Sequence, residues 1–272
     1  LNDLVSASCR YSRDQAASRD PVCHDGCGWA WEFLRRNRDY VVEWRRSVPR
    51  HLSCVTLNDG TQLLRLPRRF PRAEKWGLHA FAHPGLGLDK APVFWHANAH
   101  KRVVRLNART PSGDEDEKVY RLSDFKADRC AVVGTDGISR VLLRGRGLHV
   151  PLEIRGLQVL TAPFVPVFEL RDLGDISNHA ELLSRLQRLT EPAPQLGQVL
   201  MCTSNERLQH ALTALDESLM GKTYRQIAIT LFGESKVAED WQGPSQFLKD
   251  RVRRLVAKGN ELMKGGYRDL LG

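Results

Sequence analysis

Apolar positions recur at helical spacing near both ends of the chain and at strand spacing between them. From Gly28 to about Arg46, Trp29, Phe33, Tyr40, Val41 and Trp44 fall near a helical period, with Glu32, Arg35, Arg36, Arg38, Asp39 and Glu43 among them. This predicts an amphipathic helix, interrupted near Asn37 and ended before Pro49. From Pro92 to about Leu170 the period shortens. Val93–Trp95, Val103–Leu106, Ala131–Val133, Arg140–Leu143 and Leu152–Ile154 read as strands, with turn signals at Ser112–Gly113, Thr135–Gly137 and Gly145–Gly147. A small antiparallel sheet is expected there. Helix returns from Leu173, where Leu182, Leu183, Leu186 and Leu189 form a packing stripe that Pro192 and Pro194 close.

The sharpest local signals follow residue 200. Thr203–Ser204–Asn205–Glu206 has the spacing of a capping box and launches a helix carrying Leu208, Ala211, Leu212, Leu215 and Leu219. A second box, Thr223 to Gln226, starts a helix with Tyr224, Ile227, Ala228 and Leu231 expected inside and Gly233 as its cap. A short segment, Val237 to Trp241, follows, with the Trp241 indole expected in the core. Gly243–Pro244–Ser245 then opens a longer helix. Its stripe is Leu248, Val252, Leu255, Val256, Gly259, Leu262 and Met263. The opposite side collects Gln246, Arg253, Arg254, Asn260 and Lys264, flanked by Lys249, Arg251 and Lys258.

The pattern as a whole predicts an α+β fold. It comprises an N-terminal helical module and linker (1–80), a small antiparallel β region (90–172) and a C-terminal all-α helix-turn-helix variant (173–272). A basic helix behind two short packed helices is the layout in which the last helix enters the DNA major groove. The expected DNA-binding residues are Thr223, Tyr224, Arg225, Ser245, Gln246, Lys249, Arg251, Arg253, Arg254 and Lys258. Arg pairs with guanine, Gln with adenine, and both Lys and Arg neutralise phosphate. The competing reading is a solvated basic face on a terminal packing helix. Phe232 to Ser245 also exceeds the usual turn of about 3–4 residues, so an expanded variant with an extra short helix is expected.

Charge adds to this picture without deciding it. Lys and Arg number 41 against 32 Asp and Glu, a net +9, which suits a polyanionic partner. Between Glu32 and Lys75 eleven bases face five acids. Apolar runs stay short of the roughly 20 residues a membrane span needs, and no basic-then-apolar leader opens the chain. A soluble protein of the cytoplasm and nucleoid is therefore expected. Leu1 is compatible with a trimmed chain, an unusual start or two joined reading frames.

The six cysteines are too sparse for a disulfide framework. Cys23 and Cys27 with His79 and His83 offer tetrahedral zinc ligands, but the long separation and Pro84 favour free thiols ahead of a helix. No metal or cofactor is assigned. His96 and His100 read as surface or core residues. No phosphate loop, paired zinc histidines or nucleophile elbow occurs, so no catalytic residue is expected.

Gly28 to Tyr40 resembles the N-terminal module of proteobacterial transcriptional regulator-like proteins carried on integrative and conjugative elements. Leu212 to Leu271 resembles the helix-turn-helix variant of the same FseA-type activators. The residues that carry this are Leu215–Asp216, Tyr224–Ala228, Leu231–Gly233, Ala238–Trp241, Leu248–Leu255 and Gly265–Arg268. Pro92–His96 matches the middle region more loosely. The resemblance implies an activator of excision and transfer that binds promoter DNA and works with RNA polymerase. It also implies a small single-domain antiactivator, homologous to the C-terminal domain, as a partner. A protein–protein adaptor is the alternative.

Gly28 to Arg46 is too short to bury its own aromatic stripe, being below about 40 residues. Either the middle sheet or a second protein is expected to cover Trp29, Phe33, Tyr40 and Trp44, with intramolecular packing favoured for Trp29 and Phe33. Trp29, Trp31, Arg35 and Arg36 are the candidate partner-binding residues. A chain lacking residues 1–75 is expected to keep a folded C-terminal fragment that cannot activate.

Overall fold

The computed structural model describes residues 25–47, 54–156, 159–170, 172–191, 205–240 and 247–272. They fall into two compact units. One takes in Trp44–Ala82 and Pro92–Met201, the other His24–Glu43, His83–Ala91 and Cys202–Gly272.

The first unit is built on a seven-stranded mixed sheet in the order β1-β2-β4-β5-β6-β3-β7. The strands are β1 (Cys54–Thr56), β2 (Gln62–Arg65), β3 (Val104–Arg109), β4 (Asp128–Val133), β5 (Ser139–Gly145), β6 (Leu148–Gly156) and β7 (Val165–Phe168). A short helix, α3 (Pro71–Glu74), lies between β2 and β3, and α4 (Ile176–Thr190) follows β7. The central β4–β5–β6 meander is antiparallel, as its turn signals predict. Arg146 and Gly147 both take positive φ (55° and 69°) in the two-residue β5–β6 turn. The Arg146 guanidinium then donates to the carbonyls of Arg188 and Glu191 (2.7 and 2.8 Å), which closes the C-terminal end of α4.

Two pairings depart from the antiparallel expectation. β2 runs parallel to β4 and β3 parallel to β6, so Leu63 meets Ala131 and Leu106 meets Ile154. Alternation along a strand shows which face is buried but not which strand lies beside it. β1, β2 and β7 are short strands that were not expected, although Asn58–Asp59–Gly60, with Gly60 at φ 84°, is a turn signal between β1 and β2. Val93–Trp95 is not a strand: its one pairing is an isolated bridge from Trp95 to Leu78, and it is buried in irregular chain.

Side chains alternate across the sheet. Val104, Leu106, Ala131, Val141, Leu143, Val150, Leu152 and Ile154 share one core with Leu182, Leu186 and Leu189 of α4. On the other face Cys130, Val132 and Leu142 pack with Leu66, Ala80 and Phe94. A charged row crosses the same face. Glu153 receives Arg105 at 3.3 Å and Arg140 at 3.6 Å, and Arg140 also reaches Asp136 at 2.5 Å. Buried Arg140 and Glu153 thus each have an opposite charge beside them, as burial requires.

His100 is 1% exposed. Burial, with Arg102 and Arg105 nearby, pushes its imidazole down to about 4, and burial beside Arg140 and His96 takes His79 to about 3. The unfolded chain takes up these protons near the ordinary 6.5, so stability is complete above that value and is lost as pH falls towards 4. For His100 alone the loss reaches about 3 kcal/mol. Denaturant titrations from pH 7 to 4 should show this slope. His100→Gln should make it shallower and leave the part due to His79, and an unchanged slope would show that His100 is not a source of it.

Cys54 is disulfide-bonded. Among the described residues no three His, Cys, Asp or Glu side chains converge as metal ligands. Cys23 lies outside them, and with it the Cys23–Cys27 pair. No described helix is long and apolar enough to cross a membrane.

Candidate nucleic-acid interface

The second unit begins with α1 (Gly26–Leu34), capped by Asp25, whose carboxylate accepts from the Gly28 amide at 3.0 Å. The helix stops where the sequence pattern breaks, and α2 (Arg38–Ser47) starts afresh. Asn37 makes the join. Its side-chain oxygen accepts from the amides of Asp39 and Tyr40, and its Nδ2 donates to the carbonyl of Met263 at 2.9 Å.

Trp31, Phe33, Leu34 and Tyr40 are fully buried, with the rings of Trp31 and Tyr40 edge to face at 5.8 Å. Their cover comes from within the second unit. α1 packs on the C-terminal helices α5 (Glu206–Leu219) and α8 (Phe247–Lys264) and on the closing 3-10 segment Gly266–Leu271. Gly26 approaches this segment so closely that a β-carbon there would stand 2.0 Å from the Leu270 carbonyl oxygen.

The four residues expected to bind a partner are held in this packing. Trp29 is 5% exposed, and the Trp31 indole donates to the Leu86 carbonyl at 3.0 Å. Glu32, itself buried, accepts from Arg35 at 2.7 Å, Arg36 at 2.8 Å and the Leu88 amide at 3.2 Å. Burial opposes its charge, but the hydrogen bonds from Arg36 and Arg35 prevail and hold its carboxyl below the ordinary range. Arg36 also forms a two-pronged pair with Asp216 of α5. Burial works against its charge too, and the bonds from Asp216 and Glu32 outweigh it.

α5 is capped by Asn205, which accepts from the Leu208 amide, and Thr203 lies outside the described residues. Ala211, Leu212 and Leu215 are buried, whereas Leu219 is exposed. α5 and α8 meet at Gly259, where an added β-carbon would lie 2.7 Å from the Ala211 carbonyl and 2.9 Å from the Leu215 β-carbon. Gly259→Ala should therefore cost up to about 2 kcal/mol, because overpacking at about 1–3 kcal/mol is set against a helix-propensity gain of about 1. A raised thermal midpoint in this variant would show that the helices separate freely.

α6 (Tyr224–Phe232) carries the expected capping box: Thr223 accepts from the Gln226 amide at 3.4 Å, and the Gln226 side chain accepts from the Thr223 amide at 2.8 Å. Tyr224 does not face inward. It is 41% exposed beside exposed Arg225, while Ile227 and Ala228 fill the core. Gly233 (φ 86°) alone separates α6 from α7 (Glu234–Asp240), the extra short helix the sequence implied. Val237 anchors α7 in a core with Ile227, Ala228, Leu248, Val252 and Val256.

α8 separates its faces as its periodicity predicts. Leu248, Val252, Val256, Gly259, Leu262 and Met263 are buried, and Lys249, Arg253, Arg254 and Lys258 are exposed. Arg253 is shared with Asp250 (3.3 Å) and Lys258 with Glu261 (2.9 Å). Among the described residues, Lys249 and Arg254 form no ion pair. Arg251 is only partly exposed, because its guanidinium stacks 4.6 Å from the Phe232 ring centre. This stacking is a role that spacing alone did not reveal. Ser245, Gln246 and Trp241 lie outside the described residues. Asn37 and α1 brace the far end of α8, which leaves its first turns and the start of α6 open to solvent.

Residues 170–272 match a family described as the DNA-binding domain of a type VI secretion system transcription factor. Residues 12–79 match the proteobacterial transcriptional regulator-like domain. Comparison with curated proteins finds no match. The two matched domains support a DNA-binding regulator of transcription.

Proposed function

We propose that the protein is a transcription activator that binds promoter DNA through the first half of α8 and the exposed start of α6. Its targets are the excision and conjugative-transfer genes of a mobile element, as the FseA-type resemblance implies. The observation that carries the DNA contact is the exposed set Lys249, Arg253 and Arg254 on a helix whose other face is locked in a core, within the span matched to a DNA-binding domain. α7 follows α6 across a tight turn, where a reading helix would stand. Its three acids and one base would be repelled by phosphate, so the groove contact falls to α8. Tyr224 and Arg225 extend the surface, Thr223 is used as the cap of α6, and Ser245 and Gln246 complete the set from sequence.

On this reading the protein is a regulator and not an enzyme, needs no cofactor, and works on the nucleoid in the cytoplasm. RNA polymerase and an antiactivator homologous to the C-terminal domain are its protein partners. Footprinting of the full chain on DNA upstream of the excision genes tests the proposal. A protected site whose occupancy drives transcription supports it, and the absence of any protected site overturns it.

The adaptor reading has one observation in its favour. Leu219 and Met220, at the turn between α5 and α6, are 56% and 65% exposed. It predicts tight protein binding and no salt-sensitive DNA binding.

A further inference from the structure

Phe247, the first described residue of α8, is 61% exposed, while Leu248 beside it is 3% exposed and belongs to the core. The core therefore fixes the direction in which Phe247 points. At about 100° per residue, Phe247, Arg254 and Lys258 stand in one strip, with Lys249 and Arg253 along the other margin of the exposed face. The acids on this face, Asp250 and Glu261, are already paired with Arg253 and Lys258. Among the described residues no ring or cation packs on Phe247. A large apolar side chain thus stands in water at the leading end of a cationic face.

Such a ring needs a partner that is polyanionic around its rim and apolar at one point. The DNA major groove offers this, because its only apolar feature is the thymine methyl group, lined on both sides by phosphate. The first turn of a groove-bound helix is also the part that reaches base edges. We infer that Phe247 is a specificity-determining residue whose ring packs on a thymine methyl, while Lys249, Arg253 and Arg254 hold the backbone and neighbouring bases. The inference rests on the DNA-binding reading and deepens it, by assigning sequence preference to a residue that carries no charge.

The test uses the full chain. A library of random DNA duplexes is enriched on the wild-type protein, and the winning duplex is compared with versions in which single thymines are replaced by uracil, which lacks only the methyl. Wild type should lose about fourfold in affinity at one such position, the worth of a buried methyl. Phe247→Ala should lose about tenfold on the thymine duplex and become indifferent to that uracil. Its salt dependence, thermal midpoint and affinity for unselected duplex should match wild type, because no cation and no core residue is touched. Phe247→Leu should keep part of the methyl sensitivity.

Equal binding of Phe247→Ala and wild type to the winning duplex would overturn the assignment. So would undiminished uracil sensitivity in the variant, or a Phe247→Ala loss with no uracil sensitivity in wild type, which would mark a wedge between bases or a protein contact. Failure of the wild type to enrich any duplex would instead refute the DNA-binding reading, and this inference with it.

Discussion

Trp31→Ala is expected to destabilise strongly the unit that carries the basic helix, although Trp31 lies far from that helix in sequence. The indole is fully buried, meets Tyr40 edge to face and donates to the Leu86 carbonyl. Truncating a core tryptophan costs about 3–5 kcal/mol, a large share of the roughly 5–15 kcal/mol that holds a typical domain together. Removing residues 1–75 goes further, since Phe33 and Leu34 of α1, Tyr40 of α2 and the Arg36–Asp216 pair leave together. A chain lacking residues 1–75 should therefore lose the native C-terminal fold, against the expectation drawn from sequence that this fragment stands alone. Circular dichroism and thermal melting of the chain lacking residues 1–75 check this. Cooperative melting close to that of the intact chain would show that α1 is an accessory.

Arg253→Ala with Arg254→Ala should have the opposite signature. Both side chains are exposed, and the buried stripe of α8 is untouched, so the thermal midpoint should stay within about 1–2 °C. Affinity for promoter DNA should fall by about two orders of magnitude, at about 1–3 kcal/mol for each lost arginine contact. The slope of affinity against salt should shallow by about one for each phosphate contact removed. Anisotropy titrations with a labelled duplex measure both. A large loss of stability with unchanged DNA affinity would identify these arginines as structural.

Local order was legible in the sequence wherever one residue type has one physical use. The Thr223–Gln226 box, the break at Asn37, the Gly233 cap and the two faces of α8 follow from capping chemistry and helical period. What could not be read was mostly what closes over distance. No periodicity says that α1 packs on α8, because Gly26 against Leu270 and Asn37 against Met263 are meetings of chain more than 220 residues apart. The parallel strand pairs were hidden for the same reason. Within the candidate interface, Lys249, Arg253, Arg254 and Lys258 stand on the exposed face that the sequence assigned them. Tyr224 was expected inside, yet it turns outward, and Arg251 is drawn onto Phe232. A hydrophobic body with a polar tip fits either environment, so composition did not settle these two.

A chain that acts on DNA through a cationic surface binds it less tightly as salt rises, and that dependence is the most direct measurement of such an interface. Affinity of the intact protein for promoter DNA should be measured across about 50–200 mM salt. Log affinity should fall linearly with log salt, with a slope near −0.9 for each phosphate neutralised. Absence of DNA binding even at the lowest salt, or binding that salt does not weaken, would contradict it.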